Sequence, residues 1–165
     1  MKKIYVLLLI IAIDYFQPAY AAPKAIKPAP INYSDISGPE MISVTANKNE
    51  LDLSKKSALI KITMTVSDDL NSIDGAMTYF SRLDEEGKIT GSKLFAAKNS
   101  IRVSSTKIEG RIVEIFEMST TFPKGLAKGK YQLLTGDFRD LASNRRVDLS
   151  DVNKSLGNLP VITVK

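Results

Sequence analysis

The chain predicts an all-β sandwich of short antiparallel strands, on three observations. Ile60, Ile62, Met64 and Val66 alternate with Lys61, Thr63, Thr65 and Ser67, the period-2 pattern of a half-buried strand. Turn-forming clusters recur about every 8–12 residues, the spacing of sandwiches rather than of βαβ units. No stretch carries a sustained helical period. Together these predict about seven to nine strands.

The chain opens with a segment apart from that fold. Lys2-Lys3, the apolar run Ile4 to Ile13 and Ala19-Tyr20-Ala21 have the charged, apolar and small-x-small parts of a secretory signal peptide. The run is too short to span a bilayer, which takes about 20 apolar residues. Residues 1–21 are therefore expected to be cleaved, so that the chain begins at Ala22, is exported to the periplasm or secreted, and keeps no transmembrane segment. Residues 22–39 contain Pro23, Pro28, Pro30 and Pro39; proline lacks an amide donor and favours extended backbone, so a flexible arm is expected.

Residues 40–165 carry the β pattern. After the strand at Ile60–Val66, Asp68-Asp69-Leu70-Asn71 is a turn. Ala76 to Leu83 reads as the next strand, with Tyr79 and Phe80 on opposite faces, one of them expected to be exposed. Asp84-Glu85-Glu86-Gly87 is a hairpin connection ending in glycine. Ile89 to Ala96 and Ser100 to Ser105 follow, Lys107 to Gly110 turns the chain, and Arg111 to Phe122 is a long strand stopped by Pro123-Lys124-Gly125. Tyr131 to Phe138, a loop over Asp140–Arg146, and Val161 to Val164 complete the domain. Leu126–Lys130 and Ser150–Leu156 have room for a single helical turn each.

Composition excludes much chemistry. There is no cysteine and no histidine, which removes disulfides, Ser-His-Asp and Cys-His catalysis, and zinc or haem ligation through these side chains. Loss of Lys2, Lys3 and Asp14 with the leader lowers the formal net charge from +5 to +4. The charges are interleaved in sign along the chain, the mark of a solvated surface rather than a nucleic-acid footprint.

Ala58 to Leu70 (ALIKITMTVSDDL) resembles the second strand and following loop of bacterial immunoglobulin-like domains of exported and cell-surface proteins. Gly129-Lys130-Tyr131, Asp140-Leu141-Ala142-Ser143-Asn144 and Leu159 to Val164 are similar to the G-x-Y, D-x-A-G-N and closing strand of the same family. Two departures stand out: Ser143 replaces the family's glycine, and Asn71-Ser72 replaces Ser-Gly. The resemblance implies an immunoglobulin-like sandwich over about residues 40–165. It also implies that Tyr131 forms a tyrosine corner, its ring in the core and its hydroxyl on nearby backbone.

The candidate site is acidic. Asp68 and Asp69 close one strand; Asp137 and Asp140, with Asn144, end another. An immunoglobulin-like topology brings these loops to one end. Asp68, Asp69, Asp140 and Asn144 are the expected oxygen ligands of a hard cation, Ca²⁺ before Mg²⁺; turn formation alone is the competing reading of the same residues. Glu85-Glu86, Glu114 and Glu117 read as solvated charges. With no tryptophan and few aromatics to stack sugars, paired-carboxylate glycoside chemistry is disfavoured and no catalytic residue is assigned. The expected function is a non-catalytic exported binding, scaffolding or adhesion module. Its partner would be another exported protein or an envelope component, not nucleic acid. The alternative is a small inhibitor or accessory protein of a hydrolase, with the Lys107–Gly110 or Asp84–Gly87 tip as its wedge.

Overall fold

The alternation at residues 60–66 becomes an alternation of burial. In the computed structural model, which describes residues 24–75, 77–135, 138–146 and 159–165, Ile60, Ile62, Met64 and Val66 are fully buried on strand β3 (Ala58–Asp68), whereas Leu59 and Thr63 on its other face are exposed. The leader, the Ser150–Leu156 turn and Asp137 lie outside the described residues.

The fold is all-β. β1 (Glu40–Ala46), β3, β8 (Arg111–Phe122) and β7 (Lys98–Ile108) form an antiparallel sheet in the order β1-β3-β8-β7. A second sheet runs β2 (Glu50–Leu51), β12 (Val161–Val164), β9 (Gly129–Thr135), β5 (Thr78–Leu83) and β6 (Ile89–Ala96); its β2–β12 pair is parallel and the rest antiparallel. Ile60, Ile62 and Met64 of the first sheet share one core with Phe80, Leu133 and Ile162 of the second. Phe122 stacks edge-on against Phe80 and Tyr131 across the gap, with ring centroids 5.1 and 5.7 Å away. This is the two-layer packing of a sandwich.

A small third sheet positions the site. β4 (Ile73–Gly75), β10 (Phe138–Asp140) and β11 (Arg145–Arg146) pair in the order β11-β10-β4, and Asp140 sits opposite Ile73. The loop after β3 is thereby pinned beside the end of β10, and the Leu141 amide adds a bond to the Ser72 carbonyl (2.9 Å).

Two hairpins share one loop. At Asp84–Lys88 and at Asp140–Asn144 the paired ends are closed by the first residue's N–H bonding to the fifth residue's carbonyl. The fourth residue's N–H bonds back to the first residue's carbonyl. The fourth residue is left-handed in both, Gly87 at φ 80° and Ser143 at φ 72°. This is the three-residue hairpin with a G1 bulge, and Ser143 occupies the glycine position without being glycine. The β7–β8 hairpin instead turns on Glu109-Gly110, both at positive φ, as a two-residue type I′ loop requires.

Several expectations are corrected. Leu126–Lys130 forms no helical turn: the Leu126 amide bonds to the Pro123 carbonyl and β9 begins at Gly129, which pairs with Val164. Neither Tyr79 nor Phe80 is exposed. Phe80 enters the main core, and Tyr79 packs with Leu134 and with Leu159, just before β12, on the other face. Glu114 is not solvated but fully buried, because it falls on the inward face of β8 with Phe116 and Met118. It is neutralised by Arg102 (Nε to Oε1, 2.9 Å) and accepts bonds from the Ile73 amide (2.8 Å) and the Ser105 hydroxyl (3.0 Å).

The tyrosine corner is present. Tyr131 is buried in the core and its Oη donates to the Ala127 carbonyl at 2.7 Å; burial raises its hydroxyl pKa, against a smaller lowering by Arg82.

Candidate metal centre

Asp68 is placed by turn chemistry. Its Oδ1 accepts the amides of Leu70 (3.1 Å) and Asn71 (2.7 Å), the bonds by which an aspartate turns its own backbone. Asp140 does the same through the G1-bulge hairpin, its Oδ1 accepting the Asn144 amide at 2.7 Å. Each aspartate thus has one oxygen committed to a loop and a second directed inward.

A third carboxylate meets them from the proline-rich segment. Residues 24–39 contain no strand or helix, yet Asp35 is buried, and Asp35, Asp68 and Asp140 each offer an oxygen within 4.8 Å of the other two. Asn71, fully buried, is the pivot. Its side-chain nitrogen donates to Asp35 Oδ2 (2.9 Å), to the Asn32 carbonyl (2.9 Å) and, at 3.4 Å, to Asp140 Oδ2. Asn144 donates to Asp140 Oδ2 and to the Asp35 carbonyl, both at 2.9 Å.

The expected ligand set is therefore brought together only in part. Asp68 and Asp140 converge. Asn144 joins them through its nitrogen, as a donor that orients the carboxylates rather than as an oxygen ligand. Asp69 is not in the cluster; half-exposed, it lies 3.0 Å from Arg111 Nε, on a guanidinium shared with Glu40. Adjacent residues of an extended chain point to opposite sides, so the Asp68-Asp69 pair splits between the cluster and the surface. Asp35 was not expected. Asn32-Tyr33-Ser34-Asp35 carries only a turn signal, realised as the Asp35 amide bonding to the Asn32 carbonyl.

Among the described side chains, no lysine or arginine forms an ion pair with Asp35, Asp68 or Asp140. Unit charges at this separation repel by about 3 kcal/mol per pair at an effective dielectric near 20. Burial pushes the Asp68 carboxyl up to about 6; its two amide bonds pull it down, while a hydrogen bond its protonated form makes with the Asp35 carboxyl, and the Asp35 charge, raise it further. Asp68 Oδ2 is buried and has no hydrogen-bond partner, a state that ordinarily costs about 1–3 kcal/mol or more for a charged group.

A cation meets both demands. Oxygens bound at about 2.3–2.6 Å on opposite sides of Ca²⁺ lie at most about 5 Å apart, so the spacing of the three carboxylates fits. Asp35, Asp68 and Asp140 would supply the protein ligands and water would complete the coordination. With neither histidine nor cysteine in the chain, the donor set is hard oxygen, suited to Ca²⁺ or Mg²⁺ rather than to zinc or copper. No family model, no curated protein and no solved structure matches the chain.

Proposed function

We propose that this chain is a non-catalytic, exported immunoglobulin-like module that binds Ca²⁺ at one end of its sandwich. It acts as a binding or scaffolding protein in the envelope or the medium. The leader pattern at residues 1–21 supports export. The tyrosine corner at Tyr131 and the left-handed Ser143 in the Asp140–Asn144 loop support the immunoglobulin-like reading. The observation that carries the cation is the trio Asp35, Asp68 and Asp140, buried together with one carboxylate oxygen of Asp68 unpartnered.

The test is thermal unfolding in Ca²⁺ and in chelator at constant ionic strength, with calorimetric titration of Ca²⁺ beside it. Extracellular modules hold Ca²⁺ with dissociation constants of roughly 0.1–1 mM. At about 10 mM Ca²⁺, mass action then stabilises the fold by roughly 1.4–2.7 kcal/mol, on the order of 5–10 °C in Tm. Asp68→Asn and Asp140→Asn erase the response, whereas Asp69→Asn keeps it. Identical melting curves in calcium and chelator, with no heat of binding, would show that these aspartates only build turns.

A further inference from the structure

Asp35 differs from the other two carboxylates in one respect: it belongs to the segment that precedes the sandwich. That segment runs across the end of the first sheet. At one side the Ile26 amide donates to the Arg102 carbonyl of β7 (3.0 Å) and Arg102 Nη1 reaches back to the Ile26 carbonyl (3.4 Å). The Ala29 amide then donates to Ser72 Oγ (2.8 Å) and the Asn32 amide to Asn71 Oδ1 (2.6 Å), before Asp35 enters the cluster. Among the described residues β7 is an edge strand of its sheet, so residues near Ile26 lie along an edge that no other described strand pairs.

The segment is held by polar contacts. Ile26 and Ile31 are each 41% exposed, Tyr33 82% and Ile36 91%. A depression lined by Ala29, Asn32, Leu70, Ser105 and Ile112 separates it from the β7–β8 end. Ile26 and Ile31 are partly covered while Tyr33 and Ile36 are not, so its attachment depends on its hydrogen bonds and on whether Asp35 is attracted to or repelled by Asp68 and Asp140, as well as on this partial apolar packing. The fully buried Asp68, with Oδ2 unpartnered, marks the place where that sign is decided.

We infer that the cation is a latch: bound between Asp35, Asp68 and Asp140, it fastens residues 24–36 across the sheet end and over the β7 edge, and its removal releases them. This inference rests on the cation reading of the site. Calcium turns mutual repulsion of the carboxylates into shared attraction, and Asn71, Ser72 and Asn144 set the register of the docked segment. Release leaves β7 with an unpaired edge, the surface to which an extended peptide adds as a further strand.

The test is amide hydrogen exchange on the full chain in Ca²⁺ and in chelator, with Ca²⁺ binding followed separately by calorimetry. Binding accompanied by at least roughly ten-fold slower exchange at Ile26, Ala29 and Asn32 supports the latch; exchange scales with the population of the open state. Binding with unchanged exchange at those amides overturns the latch and leaves the cation site standing. Absence of binding removes the site and the latch with it. Asp35→Asn separates the roles further: its segment is expected to exchange at the fast rate with or without Ca²⁺, and calcium-dependent protection in that variant would overturn the assignment of Asp35 as the fastener.

Discussion

The Asn144 amide donates to Oδ1 of Asp140 at 2.7 Å, the same bond that the Lys88 amide makes to Oδ1 of Asp84 at 2.7 Å in the other G1-bulge hairpin. The loops are equivalent in backbone and different in consequence. Asp84 lies in an exposed hairpin, whereas Asp140 is buried, its second oxygen facing Asn71, Asn144 and the carboxylates of Asp35 and Asp68. Turn formation explains one oxygen of Asp140. The other oxygen is held by the side-chain amides of Asn71 and Asn144, beside two further carboxylates.

Stability without calcium should fall as pH rises from about 4 to about 6. The unfolded chain releases the Asp68 proton near the ordinary carboxylate value of 3.8, while the folded chain holds it to about 6. In that window the folded state binds more protons, so deprotonation favours unfolding, with an upper bound of about 3 kcal/mol for the whole span. Urea unfolding in chelator across this range, for wild type and for Asp68→Asn, isolates the effect. Asp68→Asn should flatten the decline, and equal slopes would remove Asp68 as its source.

Ser143→Gly should stabilise the fold. Ser143 is held at φ 72°, a conformation that costs a residue with a side chain roughly 1–2 kcal/mol and glycine little. Part of the gain is returned as greater freedom of the unfolded chain, which leaves about 0.5–1 kcal/mol. Denaturant midpoints measure it. A loss of stability would mean that the serine hydroxyl holds the loop.

Glu114→Ala should cost about 3–5 kcal/mol, because it strands the Arg102 guanidinium in a site where the two side chains are 10% and 0% exposed and leaves the Ile73 amide without its acceptor. Glu117→Ala, on the outward face of the same strand, should change stability by about 0.5 kcal/mol or less. Chemical denaturation of the two variants gives the contrast. Similar values would place Glu114 outside the stabilising network.

Ile62→Ala should cost about 2–5 kcal/mol, since Ile62 is fully buried in the shared core. Thr63→Ala, one residue on and facing outward, should cost under about 1 kcal/mol. A reversal of this order would shift the register of β3 by one residue.

What the sequence determined by itself is the part of the molecule written in local periodicity and turn chemistry. The inward face of β3, the extent of β8 and the Asp84–Gly87 connection were all readable, because a period of two and a glycine or aspartate at a turn have one local solution; the placement of Tyr131 came instead from the resemblance to immunoglobulin-like domains. Asp68 and Asp140 were legible for the same reason. The tertiary structure decided which charges meet. Asp35 stands 36 positions from Asn71 and 109 from Asn144, its hydrogen-bond partners, in a stretch whose composition announces only extended chain. Glu114 and Arg102 look like surface charges until two strands pair and turn them inward together. Burial and long-range pairing set the energy of a charge, and neither is a property of its sequence neighbours.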